Sequence, residues 1–116
     1  MLTSIRRKFL PGLFLGLSIV SATHADSFTP SGTVGTIKIL SGMNGAPGNY
    51  TFRVFLTGNP TLCGNTNTWA YVNASDVNYA AIVAGVLSAK ASGYTISLGV
   101  TPDSLGYCQI GTVYIY

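Results

Sequence analysis

Acidic and acid–base side chains are almost missing from this chain. Its 116 residues include no glutamate, three aspartates and one histidine, and 8% of its side chains are charged. The histidine, His24, falls within a segment that reads as an export signal over residues 1–25. Arg6, Arg7 and Lys8 give the positive start, Phe9 to Val20 the apolar stretch, and Thr23-His24-Ala25 a small-residue cleavage site before Asp26. The expected mature domain, 26–116, therefore has no histidine at all. It sets Lys38, Arg53 and Lys90 against Asp26, Asp76 and Asp103, a formal charge of zero. The +3 of the whole chain belongs to the leader and does not argue for a nucleic-acid partner.

These absences exclude most catalytic chemistries. Without histidine there is no Ser-His-Asp or Cys-His relay and no zinc ligand set. The three aspartates each have an ordinary role. Asp26 lies at the new terminus, Asp76 at the start of a helix, and Asp103 in a turn after Pro102. A non-enzymatic protein without a cofactor is expected. A calcium site of carbonyl oxygens and one aspartate stays open, although no loop has the acidic density that predicts one. Gly42, Gly45 and Gly48 form a spaced trio, but no Lys-Ser/Thr follows and no helix opens there, so a hairpin turn is the reading. Three separated cations offer no track for phosphates. Asn49-Tyr50-Thr51 and Asn73-Ala74-Ser75 match the glycosylation pattern, as chance matches in a chain rich in Asn, Thr and Ser.

No apolar run after Asp26 is long enough to span a membrane, and no cysteine follows the leader to carry a lipid. The protein is expected to be secreted or periplasmic. Arg6-Arg7-Lys8-Phe9-Leu10 fits a twin-arginine signal, while Ile5 and the strong apolar stretch favour the general secretory route. Outside the cytoplasm two cysteines, Cys63 and Cys108, are most simply a disulfide. Closing a loop of this size is worth about 3 to 4 kcal/mol in the chain-entropy account.

The remainder reads as five strands and a helix. Residues 27–32 are a polar lead-in. Thr33 to Leu40 alternates, with Gly35, Ile37 and Ile39 on one face and Val34, Thr36, Lys38 and Leu40 on the other. A turn segment, 41–49, precedes a second alternating run from Thr51 to Leu56, and the two form a hairpin. Thr68 to Asn73 is a third strand with Trp69 and Tyr71 on one face. Tyr79, Ile82, Val83, Val86 and Lys90 recur at helical spacing, with Ser75 or Asp76 as the cap and Gly93 as the stop. Tyr94 to Val100 and Cys108 to Tyr116 complete the order β-β-β-α-β-β. This mainly β order with one helix is that of a five-stranded OB-fold barrel, its helix plugging the open end. An open antiparallel sheet with a packed helix has the same order.

A surface of Asn, Thr, Ser, Gly and Tyr suits uncharged hydroxylated ligands, since amides match sugar hydroxyls and rings pack on sugar C–H faces. The densest clusters are Asn65-Thr66-Asn67 beside Trp69, and Gly106-Tyr107 beside Cys108. The bland reading puts Trp69 and Tyr71 in the core and gives the Asn, Thr and Gly residues to turns. Apolar residues on both faces of several strands, with little charge, point to a homo-oligomer.

Ser31-Gly32 before the first strand, a cysteine shortly before Trp69, an alanine- and tyrosine-containing helix ending at Gly93 and a strand directly after it supply a resemblance. Over residues 31 to 100 the chain resembles the small exported B subunits of bacterial pentameric toxins of the subtilase cytotoxin type, and related small secreted bacterial proteins. The resemblance implies an OB barrel, a ring of five, a host glycan as ligand, a separate catalytic subunit, and Ser31 as a sugar contact. Together these readings make Ser31, Asn65, Asn67 and Tyr107 the candidate glycan-binding residues. The alternative is a stand-alone periplasmic or cell-surface structural protein with no small ligand.

Overall fold

The computed structural model describes residues 27–41 and 49–116, together with Gly12 and Gly16. The leader, Asp26 and the glycine trio at 42, 45 and 48 lie outside the described residues. The elements run β1 (Ser27–Phe28), β2 (Gly32–Ile39), β3 (Phe52–Leu56), β4 (Ala70–Val72), α1 (Tyr79–Ser92), β5 (Thr95–Pro102) and β6 (Cys108–Ile115). The chain is mainly β with one helix, in the expected order except for β1. That two-residue strand, read as lead-in, pairs with Val100 and Gly99 of β5. It is too short to show a period. It is held instead by the Thr29 amide on the Leu98 carbonyl and the Leu98 amide on the buried Thr29 hydroxyl, both 2.9 Å.

The sheet closes on itself. β2 pairs antiparallel with β3 and β3 with β4; β4 runs parallel to β6; β5 pairs antiparallel with both β6 and β2. Five strands thus form a ring, with β1 added on β5. In β3 the alternation is as the sequence predicts: Phe52, Val54 and Leu56 are buried, and Arg53 and Phe55 face outward and are half-buried. Ala70 and Val72, Ile96, Leu98 and Val100 meet them inside, and Ile82, Val86 and Ala89 of α1 close the core.

β2 departs from simple alternation. Its register with β3 slips between Val34 and Thr36, so Val34 is buried and Ile37 also packs on the core, although alternation separates them. The extra residue in such a bulge resets the phase of the strand. Gly35 sits at that slip, where a Cβ would lie 3.0 Å from the Thr57 nitrogen and 3.1 Å from Leu56 backbone atoms. Lys90, on the exposed side of α1, donates to the Val34 and Gly35 carbonyls and so ties the helix to the bulge.

The helix starts later than its expected cap. It begins at Tyr79 after Asn78, whose side chain makes no capping bond. Asp76 instead closes a preceding turn: its carboxylate accepts from the Asn73 amide at 2.8 Å, and its own amide donates back to the Asn73 carbonyl. The stop is as expected. Gly93 is left-handed at φ 68°, and the Tyr94 amide returns to the Ala89 carbonyl at 3.0 Å.

Candidate functional site

Trp69 and Tyr71 lie on the outer face of the ring, away from the core that Ala70 and Val72 enter from the same strand. Pairing aligns Lys38 with Arg53, Arg53 with Tyr71, and Tyr71 with Gln109, so these four share one outer row across β2, β3, β4 and β6. Residues directly opposite on neighbouring strands point to the same face.

Four rings gather on this face. Tyr107 stacks on Trp69, with centroids 5.0 Å apart and planes at 27°. Tyr50 stands edge-on to Tyr71 at 4.5 Å and to Tyr107 at 5.4 Å. The Arg53 guanidinium lies 4.3 Å from the centre of the Trp69 ring. Tyr71 is buried beneath the group, whereas Tyr50, Arg53, Trp69 and Tyr107 are half-exposed.

Two loops support the cluster. The Cys63–Cys108 disulfide, with its Cα atoms 5.8 Å apart, ties the loop before β4 to the start of β6. Beside it, the Asn65 and Asn67 side-chain amides both donate to the Gly106 carbonyl, at 2.8 and 2.5 Å. The Asn65 Oδ1 accepts from the Asn67 backbone amide at 2.9 Å, and the Asn67 Oδ1 has no partner among the described residues.

Asp103 organises the other side. Its Oδ1 accepts from the Leu105 and Tyr107 amides, both at 2.9 Å, and fixes the β5–β6 turn. Its Oδ2 accepts the Tyr71 hydroxyl at 2.6 Å and the Tyr50 hydroxyl at 3.0 Å. Burial pushes this carboxyl up, but the Tyr71, Tyr107, Tyr50 and Leu105 donors outweigh it and hold it below its ordinary range. Burial, with the Asp103 bond and charge, pushes the Tyr71 hydroxyl far up, and the Tyr50 hydroxyl is raised by the same causes. Asp103 therefore stays an acceptor and the tyrosines stay donors. The arrangement serves geometry, because every oxygen of Asp103 already has its donors.

Tyr50 holds the cluster together at a conformational cost. Its φ is 56°, a left-handed value that bulky side chains avoid. Three bonds over-determine it: its amide to Asn73 Oδ1 at 2.8 Å, its carbonyl from Arg53 Nε at 3.0 Å, and its hydroxyl to Asp103.

No family model, curated protein or solved structure matches this chain.

Of the four residues that the sequence singled out, three come together here. Asn65, Asn67 and Tyr107 surround one corner of the aromatic group, and the two sequence clusters that contain them are joined through the Gly106 carbonyl. Ser31 is elsewhere. It is exposed before β2 and lines a separate hollow of about 360 Å³ with Phe28, Thr29, Ser97, Tyr114 and Tyr116. Tyr50, Arg53, Tyr71 and Asp103 were not picked out as site residues. Alternation in β3 already turned Arg53 outward, and the Asp103 turn was read correctly, but nothing local shows that its second oxygen reaches two tyrosines from distant strands. Asp76 is likewise engaged, receiving the Gln109 amide at 3.1 Å on both oxygens.

Proposed function

We propose that this chain is an exported, non-enzymatic binding domain with an OB-like barrel, and that it recognises glycan on the Trp69–Tyr107 face. The ring order β5-β2-β3-β4-β6, the parallel β4–β6 pair and a helix between the third and fourth ring strands favour the OB reading. OB domains take oligosaccharides and oligonucleotides on the face of their second and third strands and on the loops beside it. In this chain that face is the outer side of β3 and β4, with Tyr50 before β3 and Asp103 to Tyr107 between β5 and β6. The observation that carries the proposal is the Trp69–Tyr107 stack, half-exposed beside the amide-lined corner of Asn65 and Asn67. Rings offer apolar faces to sugar C–H groups, and fixed amides offer directional bonds to hydroxyls.

A glycan array probed with the oxidised chain tests the reading. Binding that is lost in Trp69→Ala and Tyr107→Ala, while the circular dichroism spectrum is retained, supports it. An empty array, or binding indifferent to both changes, rejects it.

A second reading, self-association, is favoured by exposed Phe28, Tyr114, Ile115 and Tyr116 on the β1–β5–β6 side. A ring of such domains would multiply weak glycan contacts through avidity. Light scattering after size exclusion tests this: a closed oligomer supports the toxin-subunit resemblance, and a monomer removes it.

A further inference from the structure

Two cations on the aromatic face have no ion-pair partner among the described residues. Lys38 and Arg53 stand directly opposite each other on β2 and β3 and point to the same side of the sheet. Like charges at such positions repel and weaken the pair. Each is held on a ring: Arg53 on Trp69, and Lys38 with its Nζ 5.0 Å from the centre of the Phe55 ring. Neither forms an ion pair with a carboxylate among the described residues. Asp103 is filled by its four donors, and Asp76 by Gln109 and Asn73.

The Arg53 guanidinium is pre-set. Its central carbon lies 4.3 Å over the Trp69 ring, and its Nε is spent on the Tyr50 carbonyl, itself locked by the left-handed backbone. Its two Nη groups have no partner among the described residues. They form the rigid fork that fits the two oxygens of a carboxylate or sulfate. Lys38, the partner of Arg53 across the β2–β3 ladder, lines a hollow of about 290 Å³ with Thr36, Phe55, Asn59 and Thr68. Its lining adjoins the platform in sequence, since Phe55 is two residues from Arg53 on β3 and Thr68 precedes Trp69.

We infer that Arg53 and Lys38 form an oxyanion subsite beside the Trp69–Tyr107 platform, so that the ligand is an acidic saccharide carrying a carboxylate or sulfate ester. The inference rests on the glycan reading above and narrows it. A shared anion relieves the repulsion between the two cations and satisfies the Nη donors together. The cations are confined to two positions beside rings and do not run along a groove, which favours a sugar acid over a phosphate backbone.

The test uses one polymer in three forms, measured by calorimetry with the oxidised chain: heparin, desulfated heparin that keeps its uronates, and desulfated heparin with its carboxyls reduced. Tighter binding of either acidic form over the neutral one, by about ten-fold or more, is expected for a charge-assisted fork. Preference for the first or the second acidic form tells sulfate from carboxylate. Arg53→Gln and Lys38→Gln each remove most of that preference, and Arg53→Lys restores part of it. Lys38→Gln leaves the melting temperature unchanged; Arg53→Gln lowers it through the lost Tyr50 bond while retaining the circular dichroism spectrum. Equal binding of all three forms, no binding of any, or a preference that survives both Gln variants overturns the subsite. Array hits confined to neutral glycans then leave the platform standing without the subsite; an empty array removes both. Tighter binding of a single-stranded DNA oligomer than of either acidic polymer also overturns the inference.

Discussion

The Tyr71 hydroxyl reaches Asp103 Oδ2 at 2.6 Å, joining the middle of β4 to the β5–β6 turn 32 positions later. This bond ties the buried ring of the aromatic group to the turn that carries Tyr107, whose own shape the Asp103 Oδ1 fixes through the Leu105 and Tyr107 amides.

Its pH dependence has two arms. The Asp103 carboxyl is held below its ordinary value in the folded protein, so its contribution is present above that value and lost as pH falls through the folded one. Tyr71 is raised, so its contribution is intact below about pH 10 and is lost as pH rises beyond. Urea titrations from pH 2 to 5 and from pH 9 to 11.5 are expected to show stability falling at both ends. Asp103→Asn flattens the acid arm and Tyr71→Phe the alkaline arm. Slopes identical to the parent in both variants would show that the pair does not couple to folding.

Gly35 is required by space at the β2 bulge. Gly35→Ala places a methyl group 3.0 Å from the Thr57 nitrogen and is expected to cost about 1–3 kcal/mol. Gly32→Ala, with nothing within 4 Å of the added carbon, stays within about 0.5 kcal/mol of the parent. Equal urea midpoints for the two variants would contradict the tight approach.

Asn65 and Asn67 share one acceptor, so their effects should not add. Either change to Ala leaves the Gly106 carbonyl one donor and costs about 1 kcal/mol. The double variant strips it of both side-chain donors and is expected to cost more than the sum. A strictly additive cycle would mean that the two amides act separately.

Removing the disulfide by Cys63→Ala with Cys108→Ala is expected to lower stability by about 3 to 4 kcal/mol, given its span of 45 residues. Denaturant midpoints of the oxidised parent and the double variant measure it. A loss below about 1 kcal/mol would mean that the two Asn bonds to Gly106 hold the loops without the covalent link.

What was legible in the sequence followed strict periodicity. Phe52, Val54 and Leu56 gave β3 its inside face, and Gly93 gave the end of α1. Periodicity failed where a single residue shifts the phase, as at Gly35, and where an element is too short to repeat, as in β1. The helix start misled because Asp76 has the chemistry of a cap but turns its carboxylate to Asn73 and Gln109. The loop clusters around Asn65, Asn67 and Tyr107 were visible because amides and rings concentrate there in one dimension. Tyr50, Arg53 and Asp103 join them through cross-strand register and one long-range carboxylate, which local pattern does not encode. Ser31 belonged with the others only through the resemblance, and it sits in a different hollow.

The side-chain bonds that join the separate parts of the aromatic face are distant in sequence: Tyr71 to Asp103 spans 32 positions, Asn67 to Gly106 39, and Tyr50 to Asp103 53. Contacts of such separation form only after loop closure has been achieved. A chain still emerging holds Tyr50, Trp69 and Tyr71 as loose rings until the stretch from Asp103 to Tyr107 arrives. The last 14 of the 116 residues thus complete the platform, and any product cut short before Asp103 lacks both Tyr107 and the carboxylate that Tyr50 and Tyr71 share.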